Sequence, residues 1–287
     1  MQHFKMHFKM HFNRTEFCGS IQYFARFWLR YDVPDPSSPP ELLVVHQSYS
    51  QSIHMVCLAP LKLAVVDAEG TMRLHYWPKN DLLKGPALPP AKLALGEADA
   101  ASGERVIVAP LNNRNGTILE GKLATCGAGG AMVFHGVPAP PALAPPFPPV
   151  ASPPPPPPPP PLPVDYEIAV DAALLMTVST ITAGGSGGGG RRTVLDTFDR
   201  GMPVPVAGAG CTFKLLLRGS MVELYVNDVL TAPIALPNTI SPGGHTEDGG
   251  WAEGIRAPAI SVGLSGEWAK ATLEGWTMGV TALFPQS

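Results

Sequence analysis

Apolar residues at every second position dominate the best-patterned block of this chain. In Phe213–Arg218, Leu215 and Leu217 alternate with Lys214 and Arg218; after a Gly219-Ser220 corner, Val222, Leu224 and Val226 alternate with Glu223 and Tyr225. A period of two marks a strand with one buried face, because successive side chains leave a pleated backbone on opposite sides. Asn227-Asp228 then turns the chain into Leu230–Leu236, so the block reads as a three-stranded meander.

Shorter versions of the pattern occur on both sides. Leu61, Leu63 and Val65 alternate, Asp67-Ala68-Glu69-Gly70 turns, and Met72, Leu74 and Tyr76 alternate again, which predicts a hairpin with one buried face. Arg105–Val108, Thr117–Leu123, Ala131–Phe134, Ala172–Thr182, Arg192–Leu195, Ala259–Leu264 and Ala271–Met278 read as further strands. No stretch sustains a helical period. Many short strands joined by polar turns predict an all-β antiparallel sandwich.

Two low-complexity stretches interrupt it. Seventeen of the 34 prolines lie between Val137 and Val164, nine of them in the unbroken run Pro153–Pro161. Residues 138–163 therefore read as an extended polyproline-II insert, and residues 184–190 as a flexible glycine-rich one. The strands after the inserts can pair with those before, so residues 41–287 are expected to form one interrupted sandwich whose Val137 and Val164 lie close together. Residues 1–40, with their His-Phe-Lys-Met repeat and the Pro34–Pro40 linker, are expected to be a disordered or targeting-like segment, with ordered sequence starting near Glu41.

Composition excludes several functions. A net charge of −3 with 15% charged residues supplies no field for nucleic acid or anionic lipid. No apolar run reaches the roughly 18 residues of a membrane-spanning helix. Cys18, Cys57, Cys126 and Cys211 have no metal-ligand spacing and read as buried thiols, with room for one unassigned disulfide. The glycines of 184–190 lack the strand–turn–helix setting of a phosphate loop, and no cofactor is expected.

The meander also resembles a known family. Leu215-Leu216-Leu217-Arg218-Gly219-Ser220-Met221-Val222-Glu223-Leu224-Tyr225-Val226-Asn227-Asp228 is similar to the strand pair in the C-terminal β-sandwich of family 32 glycoside hydrolases, the invertase, levanase and inulinase group. Val194–Gly201 resembles that domain's preceding Asp-Arg segment, and Ile260–Leu264 and Ala271–Met278 resemble its last two strands. The resemblance covers Leu174–Met278 and implies a jelly-roll, concanavalin A-like architecture. The family's catalytic motifs, Trp-Met-Asn-Asp-Pro-Asn, Arg-Asp-Pro and Glu-Cys, are absent from this sequence. What is implied is the non-catalytic accessory module, or a piece of a larger hydrolase, rather than the hydrolase itself.

Such a module would bind sugars, whose apolar faces stack on aromatic rings beside polar side chains. The candidates are Trp251 in the glycine-rich loop Pro242–Gly254, Tyr225 and Glu223 on the outward face of the meander, Trp268 after the Gly266-Glu267 turn, and Trp77 in the cluster His75-Tyr76-Trp77. Each has a plainer alternative. Glu223 fits a solvated sheet face with Lys214 or Arg218 as its cross-strand partner, Trp268 fits a plug at one end of the sandwich, and Trp276 fits core packing. His245, Glu247 and Asp248 share the Trp251 loop but read as a polar loop rather than a metal site. No catalytic or metal-ligating residue is assigned. The expected partners are carbohydrate or, through Pro153–Pro161, a proline-binding domain.

Overall fold

The computed structural model describes residues 21–31, 39–50, 55–58, 60–68, 70, 72–100, 102–111, 116–124, 129–137, 164–170, 176–182, 191–198, 210–218, 221–236 and 260–279. Their strands, in chain order, are β1 (Ile21–Tyr31), β2 (Glu41–Ser50), β3 (Met55–Leu58), β4 (Lys62–Val66), β5 (Met72–Tyr76), β6 (Lys84–Ala87), β7 (Arg105–Val106), β8 (Thr117–Leu123) and β9 (Gly130–Val137). After the proline-rich stretch come β10 (Val164–Val170), β11 (Met176–Thr182), β12 (Arg191–Phe198), β13 (Cys211–Arg218), β14 (Met221–Val226), β15 (Val229–Ala235), β16 (Ser261–Gly266) and β17 (Thr272–Met278). Helical structure among the described residues is confined to one turn at Pro90–Leu93 and to 3-10 turns at Pro78–Leu83 and Glu267–Lys270. None is long and apolar enough to cross a membrane.

The strands form two antiparallel sheets, as the all-β sandwich reading requires. The larger runs β1-β2-β4-β5-β15-β14-β13-β8-β17-β6, with β3 on β2, and the smaller runs β12-β11-β10-β9-β16-β7. Both sheets mix strands from before and after the proline-rich stretch: β8 lies between β13 and β17, and β9 between β10 and β16.

The main core lies between the sheets. Leu119, Phe213, Leu215, Leu217, Val222, Leu224 and Val226 from the larger sheet meet Met132, Phe134, Ile168, Val178, Val262 and Leu264 from the smaller. The alternation in β13 and β14 thus selects the inward faces as expected. The turn between β14 and β15 has two residues, Asn227 and Asp228, with φ of 47° and 63°. Both are left-handed, the requirement of a two-residue turn whose twist matches its strands and one that Asn and Asp tolerate. Trp268 is buried in the main core, stacked on Phe213 with ring centres 5.2 Å apart and planes 9° from parallel. Gly130 makes room for it, since a Cβ there would overlap the indole.

Two expectations change. A strand, β1, precedes the expected start of order at Glu41 and pairs along its length with β2. Its Ile21–Tyr31 run is rich in aromatic residues, which suit a pleated surface. The β4–β5 hairpin also has a different register. Lys62 opposes Tyr76 and Leu63 opposes His75, so the row Leu61, Leu63, Val65 lies on the opposite face from Met72, Leu74, Tyr76. The fully buried residue of β4 is therefore Lys62, and the leucines are half-exposed.

Candidate functional site

The outward face of the larger sheet carries a second layer of packing. Tyr76, Leu83, Ile118, Leu216, Tyr225 and Met278 cluster there, with Leu230 and Trp276 against them. Glu223 and Tyr225 point to this face, as their alternation requires, but both are 0% exposed. Glu223 is thus not on a solvated surface, and its partner is neither Lys214 nor Arg218. Its Oε1 lies 2.6 Å from Nζ of Lys62, and its Oε2 accepts a 2.8 Å hydrogen bond from the Tyr225 hydroxyl. Lys62 also donates to the Pro60 carbonyl at 2.9 Å. Charges withdrawn from water require such partners, because an unpaired buried charge costs several kcal/mol, on the order of 3–5.

A half-buried polar chain continues from this layer. The Tyr76 ring meets the Tyr225 ring edge-on at 5.5 Å, and its hydroxyl donates to Asp81 at 2.9 Å. Burial, reinforced by that bond to Asp81, pushes the Tyr76 phenol well above its usual range. Lys84 bridges Asp81 and Glu120 at 3.0 and 2.9 Å and stands over the Trp276 ring at 4.3 Å. Burial alone would lower the Lys84 ammonium, but the bonds to Glu120 and Asp81 raise it. Lys214 pairs with Asp228 at 2.7 Å and lies over Tyr76, so Asp228 serves the turn.

The smaller sheet carries a separate cluster on its outer face. Met132 and Phe134 of β9 face the core, which turns His135 outward; Tyr166 and Ile168 of β10 do the same for Asp165 and Glu167. His135 Nδ1 is 3.1 Å from Asp165 Oδ2, and Nε2 is 2.5 Å from Glu104 Oε1. These hydrogen bonds to Asp165 and Glu104 outweigh partial burial and push the imidazole up to about 10. It is a cation at neutral pH and donates both N–H groups. Beside it Glu167 pairs with Arg192 at 2.7 Å; its own burial raises its carboxyl, and Arg192 opposes the rise. Among the described residues, no group of three or more His, Cys, Asp or Glu side chains is arranged to hold a metal ion.

The residues expected from sequence therefore separate. Tyr225, Glu223 and Trp268 are interior, with no ring face or carboxylate open to a ligand. Trp77 is half-buried at the start of the Pro78–Leu83 turn; its indole N–H donates to Glu41 Oε2 at 2.7 Å, and Lys79 stands 5.6 Å from the ring centre. Trp276 is half-buried on the outer layer rather than in the main core. Trp251, with His245, Glu247 and Asp248, lies outside the described residues. So do Pro153–Pro161 and residues 184–190. Cys211 is disulfide-bonded, so for that residue the reading as a buried thiol gives way to the disulfide the sequence left room for. The His135 cluster had no sequence signal beyond outward alternation, because Glu104 and Asp165 stand 31 and 30 positions away.

The chain matches no protein-family model and no curated protein. Among solved structures it is similar to a glycoside hydrolase family 32 protein from Bifidobacterium adolescentis, at 12% identity and a TM-score of 0.44 over 90% of this chain and 31% of that one. It is also similar to fructan 1-exohydrolase IIa from Cichorium intybus, at 7% identity and a TM-score of 0.42 over 90% of this chain and 48% of that one. The chain thus spans between 31% and 48% of the length of these two structures.

Proposed function

We propose that this chain is a non-catalytic, carbohydrate-associated β-sandwich module. The observation that carries the proposal is the state of Glu223, the carboxylate of the strand that resembles the family 32 sandwich. It is wholly buried, neutralised by Lys62 and held by Tyr225. A carboxylate so placed stabilises a fold and cannot reach a glycosidic bond, whose hydrolysis takes two carboxylates flanking it. For sugar contact, Trp77 supplies a half-exposed indole fixed by Glu41 with a cation beside it, and the sequence offers a second aromatic, Trp251, among glycines and polar residues. Stacking platforms of this kind bind sugars without chemistry. A glycan array that includes fructo-oligosaccharides tests it with the intact chain, Trp77→Ala and Trp251→Ala. Binding by the intact chain and its loss in either variant supports the reading; no glycan bound by the intact chain overturns it.

A second reading makes the chain an interaction scaffold that presents Pro153–Pro161 to an aromatic-grooved domain. The pairing of β9 with β10 favours it, because residues 138–163 then join two neighbouring strands at a single sheet end. Pull-down of the same partners by a chain lacking Pro153–Pro161 would remove this reading.

A further inference from the structure

The described residues of the loop before β7 are held largely by hydrogen bonds within their own segment, among them Gly96 N–H to the Val106 carbonyl and Gly103 N–H to the Asp99 carbonyl. Asp99 accepts from the backbone N–H and the hydroxyl of Ser102, and its own N–H donates to the Glu104 carbonyl, so the loop is internally braced. β7 has two residues, pairing Arg105 with Leu264 and Val106 with Gly263, and Ile107 donates one bond to Val262. Beyond β7 the chain is anchored just ahead of β16, where Leu111 and Ile260 exchange two backbone hydrogen bonds, and Ile107 and Leu111 are buried in the main core. Glu104 adds an ion pair, crossing the outer face of β16 to reach His135. Gly263 makes that path open, since a Cβ there would overlap the Glu104 carboxylate.

We propose that Glu104, His135 and Asp165 form a proton-dependent latch that fastens the loop before β7 to the outer face of the smaller sheet. The latch works because the imidazolium has two donors and each faces a carboxylate. Loss of one proton leaves a bare nitrogen lone pair against a carboxylate oxygen, an acceptor facing an acceptor. One carboxylate must then withdraw. Asp165 lies within the seven-residue strand β10, opposite Ile181 of β11, whereas Glu104 lies in a loop ahead of a two-residue strand. Glu104 is the one that leaves, uncovering Gly263 and loosening β7.

The charged groups around the imidazole agree. Among the described residues, those facing it are Glu104 from the loop and Asp165 from β10. The next on that face, Glu167 of β10 and Arg192 of β12, are paired with each other, and β16 opposes His135 with the uncharged Ser261. The hydrogen bonds to Asp165 and Glu104 place the imidazole's titration near 10, so the latch is closed at neutral pH and opens in alkaline solution.

NMR of the intact chain tests this, following the His135 ring signals and the methyl groups of Val106, Ile107 and Ile168 from pH 6 to 11. The expected result is a Val106 methyl shift that tracks His135 deprotonation, while Ile168 in the core reports an intact fold. Glu104→Gln keeps the size of the side chain and can accept from, or donate to, the imidazole. It should lower the His135 midpoint by at least about one pH unit, a tenfold change in proton affinity, and abolish the coupled Val106 shift. A His135 midpoint near the ordinary 6.5, or a Val106 signal that ignores the His135 titration, overturns the proposal without recourse to any variant.

Discussion

Val137 and Val164 are direct partners in adjacent antiparallel strands, β9 and β10. The residues between them, half of the chain's prolines among them, therefore connect two neighbours in one sheet, as the shared β pattern on either side led us to expect. Shortening such a connection changes loop-closure entropy only slowly, by about 0.6 kcal/mol per halving. Replacing residues 138–163 by a four- or five-residue turn should leave the denaturation midpoint unchanged or raise it by the equivalent of about 1–2 kcal/mol. Urea unfolding of the shortened chain measures this; loss of the cooperative transition would contradict the topology.

Glu223 and Lys62 form a pair with no water to screen it. Lys62→Met leaves the Glu223 carboxylate buried with the Tyr225 hydroxyl as its remaining partner among the described residues, and should cost about 3–5 kcal/mol. Lys62→Met combined with Glu223→Gln removes both charges and keeps an acceptor for Tyr225. At least half of the loss should return, and a double-mutant cycle from urea midpoints reads the coupling.

Trp268 stacks on Phe213 in the main core. Trp268→Ala should cost about 3–5 kcal/mol through lost burial and the cavity left behind. Gly130→Ala approaches the same site from the other side and forces the indole to move, at about 1–3 kcal/mol. Thermal unfolding monitored by tryptophan fluorescence compares the two, and a Gly130→Ala chain as stable as the original would mean the indole sits elsewhere.

His135 makes stability depend on pH with a defined sign. Its folded-state value of about 10 lies above the ordinary 6.5, so the folded chain binds the proton more tightly than the unfolded chain. The stabilisation is complete below pH 6.5 and is lost as pH rises through 10. Urea midpoints of the native chain should fall more steeply between pH 7 and 10 than those of His135→Asn, and parallel curves would show that the imidazole is not doubly bonded.

The β4–β5 hairpin shows where local pattern stops being sufficient. Alternation placed Leu61, Leu63 and Val65 together, and Met72, Leu74 and Tyr76 together, correctly within each strand. The pairing between strands set Lys62 opposite Tyr76 and so decided which rows share a face. A one-residue change of register exchanges the faces of a strand, and no residue within β4 reports which register the partner imposes.

The same division holds for the whole molecule. The sequence alone determined the all-β class, most of the strands, the Asn227-Asp228 turn and the inward rows Leu215, Leu217, Val222, Leu224 and Val226, because these follow from sterics and pleating over a few residues. Tertiary structure decided what lies on the other faces. It covered Glu223 and Tyr225 with a second layer, drew Lys62 from a distant hairpin to neutralise Glu223, buried Trp268, left Trp77 half-open, and brought Glu104 and Asp165 to either side of His135. Charge pairing acts through space between residues far apart in sequence, so only the folded chain can say which carboxylate a cation meets.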